Sequence, residues 1–284
     1  SIILKTGYGA ATSSGKVVIA AYNAGAIGTS GYVGFRTGTT SHGNSGMYNV
    51  TTGAYNCCMG HDAMKNGTLT GDANAAIGAS SMASLTTGSE NNAVGRYSLD
   101  ACTTGSQNAA FGHRALQLNT TGGDNAAFGY DALANNTTGN ANAAFGVRAL
   151  EENTPGQDNA AFGISALESN TTGYGNIGVG YNALSSNETG NTNVAVGAEA
   201  GISLLTGDSN LFLGYWSGAG ISGGSNNVFL GAEACRQLGG TLNNYLCIGT
   251  GTGELITGDF GSGDLTLGQT NQGTVSILRN LAVD

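Results

Sequence analysis

The chain has 284 residues and a net charge of −9, and 50 of its residues are Gly while only one is Pro. Gly at this frequency without a Gly-X-Y period excludes collagen, and the 40% of apolar residues argues against a disordered chain. The acidic composition offers no positive surface for nucleic acid, and the lack of an 18-residue apolar run predicts no membrane insertion.

Residues 1 to 50 carry a loose repeat whose segments begin at Ser14, Ser30 and Ser45, 16 and 15 residues apart. Each segment joins a short apolar run to Gly and Ser, which is typical of strands connected by turns. We expect N-terminal β coils here that extend or cap the repeat that follows, because the end of a stacked β structure exposes unpaired strand edges.

Residues 51 to 250 repeat with a period of 17. Each unit contains a segment like NAAFG, and we call its last residue the marker Gly. Of the eleven steps between the markers, nine are 17 residues and the two outermost are 18. The markers are Gly60, Gly78, Gly95, Gly112, Gly129, Gly146, Gly163, Gly180, Gly197, Gly214, Gly231 and Gly249. Asn stands four residues before every marker but the last, so the chain is predicted to be a repeat protein.

Each unit predicts one coil of an all-β fold, a parallel β-solenoid or β-roll. The residues before the marker alternate with period two, as in NVAVG at 193 to 197, which indicates a strand. An Ala-Leu pair three and four residues after the marker predicts a second apolar segment, and NTTG predicts a turn. About twelve 17-residue coils then stack into a rod, and residues 251 to 284 are expected to form a strand-rich C-terminal cap.

The strand residues three and one before the marker are expected to face the core. Their volumes compensate: Ala109 precedes Phe111, whereas Val194 precedes Val196. Two residues that share one cavity need a roughly constant summed volume. The column two before the marker, from Cys58 and Ala76 to Phe212, would then form an apolar stripe on the outside, which predicts a homotrimer that covers it.

The repeat resembles those of known fibre proteins. The NxAxG coils resemble the β-roll heads of trimeric autotransporter adhesins, and NAAFGYxALxxNTTG resembles repeats of phage and viral tail-fibre proteins over residues 51 to 250. LITGDFGSGDLTLGQ, at 255 to 269, resembles the strand-rich piece that closes such fibres. The resemblance implies a fibre or adhesin segment on a virion surface, or alternatively an extracellular or cell-surface protein, that attaches to a host-cell glycan or receptor.

The five cysteines are expected to be structural thiols, because Cys58 and Cys247 take Ala positions and Cys235 takes a Leu position of the repeat. Their odd number and the lack of a CxxC pair also favour structural thiols, and a metal or disulfide role is the alternative. The glycosylation sequons at Asn119 and Asn136, and a third at Asn170, fall in NTTG turns, so turn geometry already explains them.

No motif of a known catalytic, cofactor or metal site is present, so we expect no enzyme activity, no cofactor and no metal. Arg114, Asp131 and Arg148 follow successive markers by two residues and predict a ladder of ion pairs. In the same column, Glu199 and Glu233 are two coils, about 9–10 Å, apart. That separation suits an inverting glycosidase, so a polysaccharide-degrading spike is an alternative.

Glu199, Tyr215, Trp216 and Glu233 form the candidate binding site. Trp216 is the only Trp of the chain, and acidic hydrogen-bond acceptors flank it in its column, an arrangement that suits stacking on a sugar ring. Packing of Trp216 against a cap or a neighbouring chain is the alternative. A third reading is an ice-binding solenoid, since Thr121, Thr138, Thr172, Thr189 and Thr206 form a column; however, the Thr pairs are adjacent and not spaced i, i+2.

Overall fold

The computed structural model describes residues 52–66, 68–251, 253–259 and 261–267. The expected N-terminal coils at 1 to 50 lie outside the described residues. The described residues contain no helix and form sixteen strands. In chain order these are β1 Cys57–Met59, β2 Ala75–Ile77, β3 Asn92–Val94, β4 Ala109–Phe111, β5 Ala126–Phe128, β6 Ala143–Phe145, β7 Ala160–Phe162, β8 Ile177–Val179, β9 Val194–Val196, β10 Leu211–Leu213, β11 Ile221–Gly223, β12 Val228–Leu230, β13 Gly240–Thr241, β14 Tyr245–Thr250, β15 Gly253–Asp259 and β16 Asp264–Leu267.

Twelve of these strands form one parallel stack in the order β1 to β10, β12, β14, which amounts to eleven turns of a solenoid. Strand neighbours pair at the repeat period, so that Ala126 lies beside Ala109 and Phe128 beside Phe111. The two 18-residue steps also keep the register, since Cys57 pairs with Ala75 and Val228 with Leu246. The predicted all-β parallel β-solenoid and its coil length are therefore confirmed.

The stack changes direction at its C-terminal end. β14 pairs antiparallel with β15, and β15 pairs antiparallel with β16, so the parallel edge of the last coil is covered. A separate two-stranded sheet of β11 and β13 lies beside the last coils. Within the predicted cap at 251 to 284, the described residues are thus antiparallel strands of the same main sheet.

The prediction of which strand face points inward was wrong. The column two before the marker, expected outside, is buried along the whole stack, and Ala76, Ala127 and Phe212 are all 0% exposed. The columns three and one before the marker lie outside, as the 38% exposure of Phe111 shows. In most coils the Leu or Met four residues after the marker fills the interior, which leaves room there only for a small strand residue. Because a strand alternates faces, this one-residue shift inverts every side chain of the strand.

Volume compensation of the kind that close packing demands also occurs inside the core. The residue four after one marker packs against the residue two before the next marker, as Leu167 packs against Gly178. Where the second position is Phe212, the first is Gly201, and a β-carbon on Gly201 would lie 2.9 Å from the Phe212 ring.

The same pair of positions holds Cys235 and Cys247, which form a disulfide, so the expectation of a free thiol was wrong for these two residues. Their Cα atoms are 6.2 Å apart, as two core positions in successive coils allow. Cys57, Cys58 and Cys102 are free thiols.

Buried Asn side chains tie the coils together in a ladder. Asn125, four residues before its marker, donates from Nδ2 to Asn108 Oδ1 at 3.1 Å and to the Gly139 carbonyl at 2.9 Å. Its backbone N–H donates to the same Asn108 Oδ1. Each amide thus satisfies polar groups of three coils inside the rod, as buried polar groups require.

A second ladder consists of the Asn residues of the turns. Each donates from Nδ2 to the side chain of the preceding member, as Asn136 does to Asn119 at 2.9 Å. The ladder ends at Asn187, whose Oδ1 has no partner among the described residues because Leu204 holds the next position. The sequon residues belong to this ladder; they are 0% exposed, so the folded chain leaves no room for a glycan on them.

Candidate functional site

The column two after the marker places Glu199, Trp216 and Glu233 in successive coils, as expected. The Trp216 N–H donates to the Ala198 carbonyl at 3.0 Å, and the Glu233 N–H donates to the Tyr215 carbonyl at 2.6 Å. All three column residues have φ of +56 to +58°. This left-handed conformation is unfavourable for side chains other than Gly or Asn, and the hydrogen bonds between coils hold it.

The ring of Trp216 is covered by an arginine that the sequence analysis missed. The Arg236 guanidinium carbon lies 3.4 Å from the Trp216 ring centroid, and Arg236 Nη1 lies 3.1 Å from Glu233 Oε2. The Tyr215 ring lies 5.3 Å from the Trp216 ring, nearly parallel to it. The structure thus brings Tyr215 and Arg236 onto Trp216, and Glu233 onto Arg236.

Glu199 is the member of the predicted site that the structure leaves apart. It lies one coil before Trp216 in the same column, and none of the ion pairs between described residues includes it. Trp216 therefore separates Glu199 from Glu233, and Glu233 is bound to a guanidinium.

The contacts of Trp216 change what the site can do. An Arg guanidinium on its ring occupies a face that a sugar would need, whereas the Tyr215 ring is 48% exposed. The Trp216 Nε1 is buried and has no hydrogen-bond partner among the described residues. The sequence signal for Arg236 was its spacing, because it follows the column residue Glu233 by three positions. A residue at that spacing can contact the column residue, as Gln117 does when it accepts a 2.7 Å hydrogen bond from Arg114 Nε.

A cavity of about 190 Å³ adjoins this cluster at the C-terminal end of the column. Its lining includes Glu233, Arg236, Gln237 and Thr250. It lies where the column continues to Gly251, the residue two after the last marker. The cavity therefore combines a carboxylate, a guanidinium, an amide and a hydroxyl.

The predicted ladder of ion pairs is only partly present. Arg114 Nε lies 3.4 Å from Asp131 Oδ1, but Arg148 pairs with Glu168 at 3.0 Å. Burial, together with the nearby carboxylates of Asp131, Glu152 and Glu168, raises the pKa of Glu151 above its ordinary value. This side of the rod is a network of charges between coils.

The Thr column offers one exposed rank of hydroxyls. The hydroxyl of the first Thr of a pair donates a hydrogen bond to the next coil, as Thr120 Oγ1 does to the Thr137 carbonyl at 3.0 Å. The second Thr, such as Thr121 or Thr138, is exposed, and Pro155 interrupts the rank. The i, i+2 pair of outward Thr ranks that ice-binding faces use is not what these turns display.

The most extensive surface feature is an apolar ladder on the outer face of the strands. Phe111, Phe128, Phe145 and Phe162 stack ring on ring with centroid spacings of 4.8, 4.7 and 4.9 Å. The rings are between 36 and 42% exposed. We call this surface the strand-face ladder; its members one residue before the markers are Met59, Ile77, Val94, Phe111, Phe128, Phe145, Phe162, Val179, Val196, Leu213 and Leu230.

The described ranges hold neither a metal-binding cluster nor a helix that could span a membrane. No group of three or more His, Cys, Asp or Glu residues there is placed to hold a metal ion. No helical segment in those ranges has the length and apolarity that crossing a bilayer requires. Comparison of the chain with protein-family models, curated proteins and solved structures finds no match.

Proposed function

We propose that this chain is a structural segment of a fibre or adhesin, and that it assembles with copies of itself into a rigid rod for attachment to a host cell. The observation that carries the proposal is the strand-face ladder. It runs the length of the stack, roughly 50 Å at one residue per layer. Soluble monomers rarely leave an apolar patch of this extent uncovered.

The period of the ladder favours a copy of the same chain as its partner. Only a surface with one residue every 4.7 to 4.9 Å can match the stacked rings along the whole rod. Along the Phe part of the ladder, the column three before the marker holds Ala, as at Ala109, so a ridge of Phe lies beside a groove of Ala.

The volumes on this outer face also support close packing against a partner. In one coil the small Ala109 accompanies the large Phe111. In another, Leu211 is larger than Ala109 and accompanies Leu213, which is smaller than Phe111. Ala75 with Ile77 is an exception. Since both residues of each pair face outward, their compensation points to a partner that fills both positions at one height. Copies related by rotation about an axis parallel to the rod satisfy this condition, and a homotrimer is the assembly that we expect.

Attachment through weak sites suits such a rod. Three parallel copies present each site three times, so a second and a third contact gain from a high effective concentration. We place the assembly on a virion surface, with an extracellular or cell-surface location as the alternative. A host-cell glycan or receptor is the proposed partner, and nucleic acid and membrane insertion play no part in the proposal.

The assembly is tested by light scattering of the purified chain. The expected mass is three times the 28.2 kDa of one chain. Phe128→Asp should reduce it to the mass of one chain, because a buried unpaired carboxylate is costly. Thr138→Asp, in the exposed turn column, should leave the trimer intact. A wild-type chain that stays monomeric at all concentrations would refute self-assembly.

Attachment needs a separate measurement. The wild-type assembly is applied to a glycan array and to cultured cells, with the Phe128→Asp variant as the low-valency control. We expect binding by the assembly and much weaker binding by the variant, because the loss of avidity removes the second and third contacts. An assembly that binds neither glycans nor cells would refute the attachment function and leave the structural one.

A further inference from the structure

The cavity beside Arg236 lies where one column ends in a residue without a side chain. The column that carries Glu199, Trp216 and Glu233 continues to Gly251, whose N–H donates to the Ala232 carbonyl at 3.2 Å in the usual register. A β-carbon on Gly251 would collide with the Glu233 carboxylate and lie 2.8 Å from Glu233 Cβ. The Glu233 side chain therefore lies at the cavity wall in space that a side chain at position 251 would take.

The Arg236 guanidinium of the cavity is held in place before any ligand arrives. Arg236 is fixed by its stacking on Trp216 and by its ion pair with Glu233. Gln237 follows it directly and adds an amide, which both donates and accepts hydrogen bonds. Thr250, from β14, adds a hydroxyl from another coil. Fixed groups lose little entropy on binding, which is the general advantage of preorganisation.

The size and charge of the cavity define the ligand. A volume of about 190 Å³ is below the range of about 300–1,000 Å³ that drug-sized ligands need, so the cavity suits a single small ring. The positive charge of Arg236 is balanced by Glu233, so a charged ligand gains little from the lining as a whole. The mixture of donors and acceptors suits a molecule that presents several hydroxyl groups.

We propose that this cavity binds one ring of a neutral sugar, with Arg236 and Gln237 contacting its hydroxyls and Trp216 positioning Arg236. The proposal rests on the attachment function proposed above and moves the sugar from the Trp216 ring, which Arg236 covers, to the adjoining cavity. A single ring of this size should bind with a Kd on the order of 1 mM.

The only Trp of the chain makes the site directly observable. The assembled wild-type protein is titrated with the methyl glycosides of galactose, glucose and mannose, while Trp216 emission and saturation-transfer NMR of the sugar are recorded. At least one glycoside should give saturable changes in both signals. Methyl glucuronide should bind no more tightly than methyl glucoside, because Glu233 repels its carboxylate.

Four variants locate the effect. Arg236→Ala and Gly251→Ala should each weaken binding at least tenfold, the first by removing donors and the second by displacing Glu233 into the cavity. Arg148→Ala, an ion-paired Arg of an earlier coil, and Gly239→Ala, where a β-carbon meets nothing closer than 3.9 Å, should bind like the wild type. Thermal unfolding verifies that each variant is folded. If a cavity variant does not fold, Gln237→Ala takes its place.

Three results would overturn the cavity proposal: no saturation with any glycoside, unchanged affinity in both cavity variants, or tighter binding of the glucuronide. The glycan array with the same protein separates this failure from failure of the attachment function. Array binding that survives Arg236→Ala places the sugar elsewhere on the rod. A protein that binds neither array nor cells refutes attachment itself.

Discussion

Gly201 leaves the space that the ring of Phe212 occupies in the next coil, and a β-carbon there would lie 2.9 Å from Phe212 Cδ2. In the preceding coil the equivalent residues are Leu184 and Ala195, so large and small side chains have exchanged places. Leu184 has φ of +51°, which shows that this position accepts Leu when the backbone is left-handed. The exchange provides a direct test of how the core is packed.

Gly201→Leu alone should lower the free energy of unfolding by about 2–3 kcal/mol or prevent folding, because the core is overpacked. Phe212→Ala alone should cost about 3–5 kcal/mol through the cavity that it leaves. The double variant restores the Leu and Ala of other coils and should recover most of the loss, a coupling that chemical denaturation of all four proteins measures. Additive losses would contradict direct packing of this pair.

Asn142→Ala should be among the most damaging polar substitutions. It removes the acceptor of the Asn159 N–H and Nδ2 groups and the donor to the Gly156 carbonyl, all inside the rod. We expect a loss of about 2–4 kcal/mol, because buried groups without partners pay their full desolvation cost. Asn135→Ala, whose exposed amide contacts only Glu152 Oε2, should cost less than about 0.5 kcal/mol. Equal losses in the two variants would contradict the ladder.

Thiol labelling should distinguish the five cysteines. Burial raises the pKa of Cys58 and that of Cys102 to about 11, so at pH 8 their thiols are protonated and unreactive. Labelling the Phe128→Asp variant, which leaves the strand face open, should modify only Cys57 in the native state. Denaturant without reductant should release three thiols, since five cysteines minus the Cys235–Cys247 pair leaves three. Five thiols under those conditions would contradict the disulfide.

Glu151→Gln should stabilise the rod at neutral pH. The pKa of Glu151 is raised in the folded state, so its contribution to stability is full in acid and is lost as the pH rises through that pKa. Gln removes the charge, and the gain in melting temperature should therefore appear at pH 7 and vanish near pH 4. Glu188→Gln, which removes the same charge at an exposed Glu, is the matched control. A gain of equal size at both pH values would argue against the charge effect.

The sequence alone determined the coil. The first eleven marker Gly residues, 17 or 18 residues apart, fix the period because their φ lies between +122 and +151° and a β-carbon on Gly129 would collide with the Gly146 carbonyl. Asn125 and its equivalents, repeated in every coil but the last, align side chains that can bond to the coil before. A parallel β-solenoid follows from these two facts together, since only stacked coils place equivalent residues in contact.

The tertiary structure decided which face is inside. Both faces of most three-residue strands are apolar, as Ala127 and Phe128 show, so alternation could not assign them. The choice depends on Leu133, which enters the interior from another side of the coil and leaves space only for Ala. The alignment of the repeats shows which residues are equivalent in successive coils. It does not show which positions within a coil contact each other across the interior.

The candidate site shows the same division. Its column, from Glu199 to Glu233, could be read from the period, because residues 17 apart stack in any solenoid of this coil length. The cover of Trp216 by Arg236 depends on a turn that brings a residue back over its neighbour in the column. The disulfide of Cys235 with Cys247 depends on core positions that meet only between successive coils. Periodicity therefore fixed the ladder positions, whereas contacts across the coil were decided by how its turns fold.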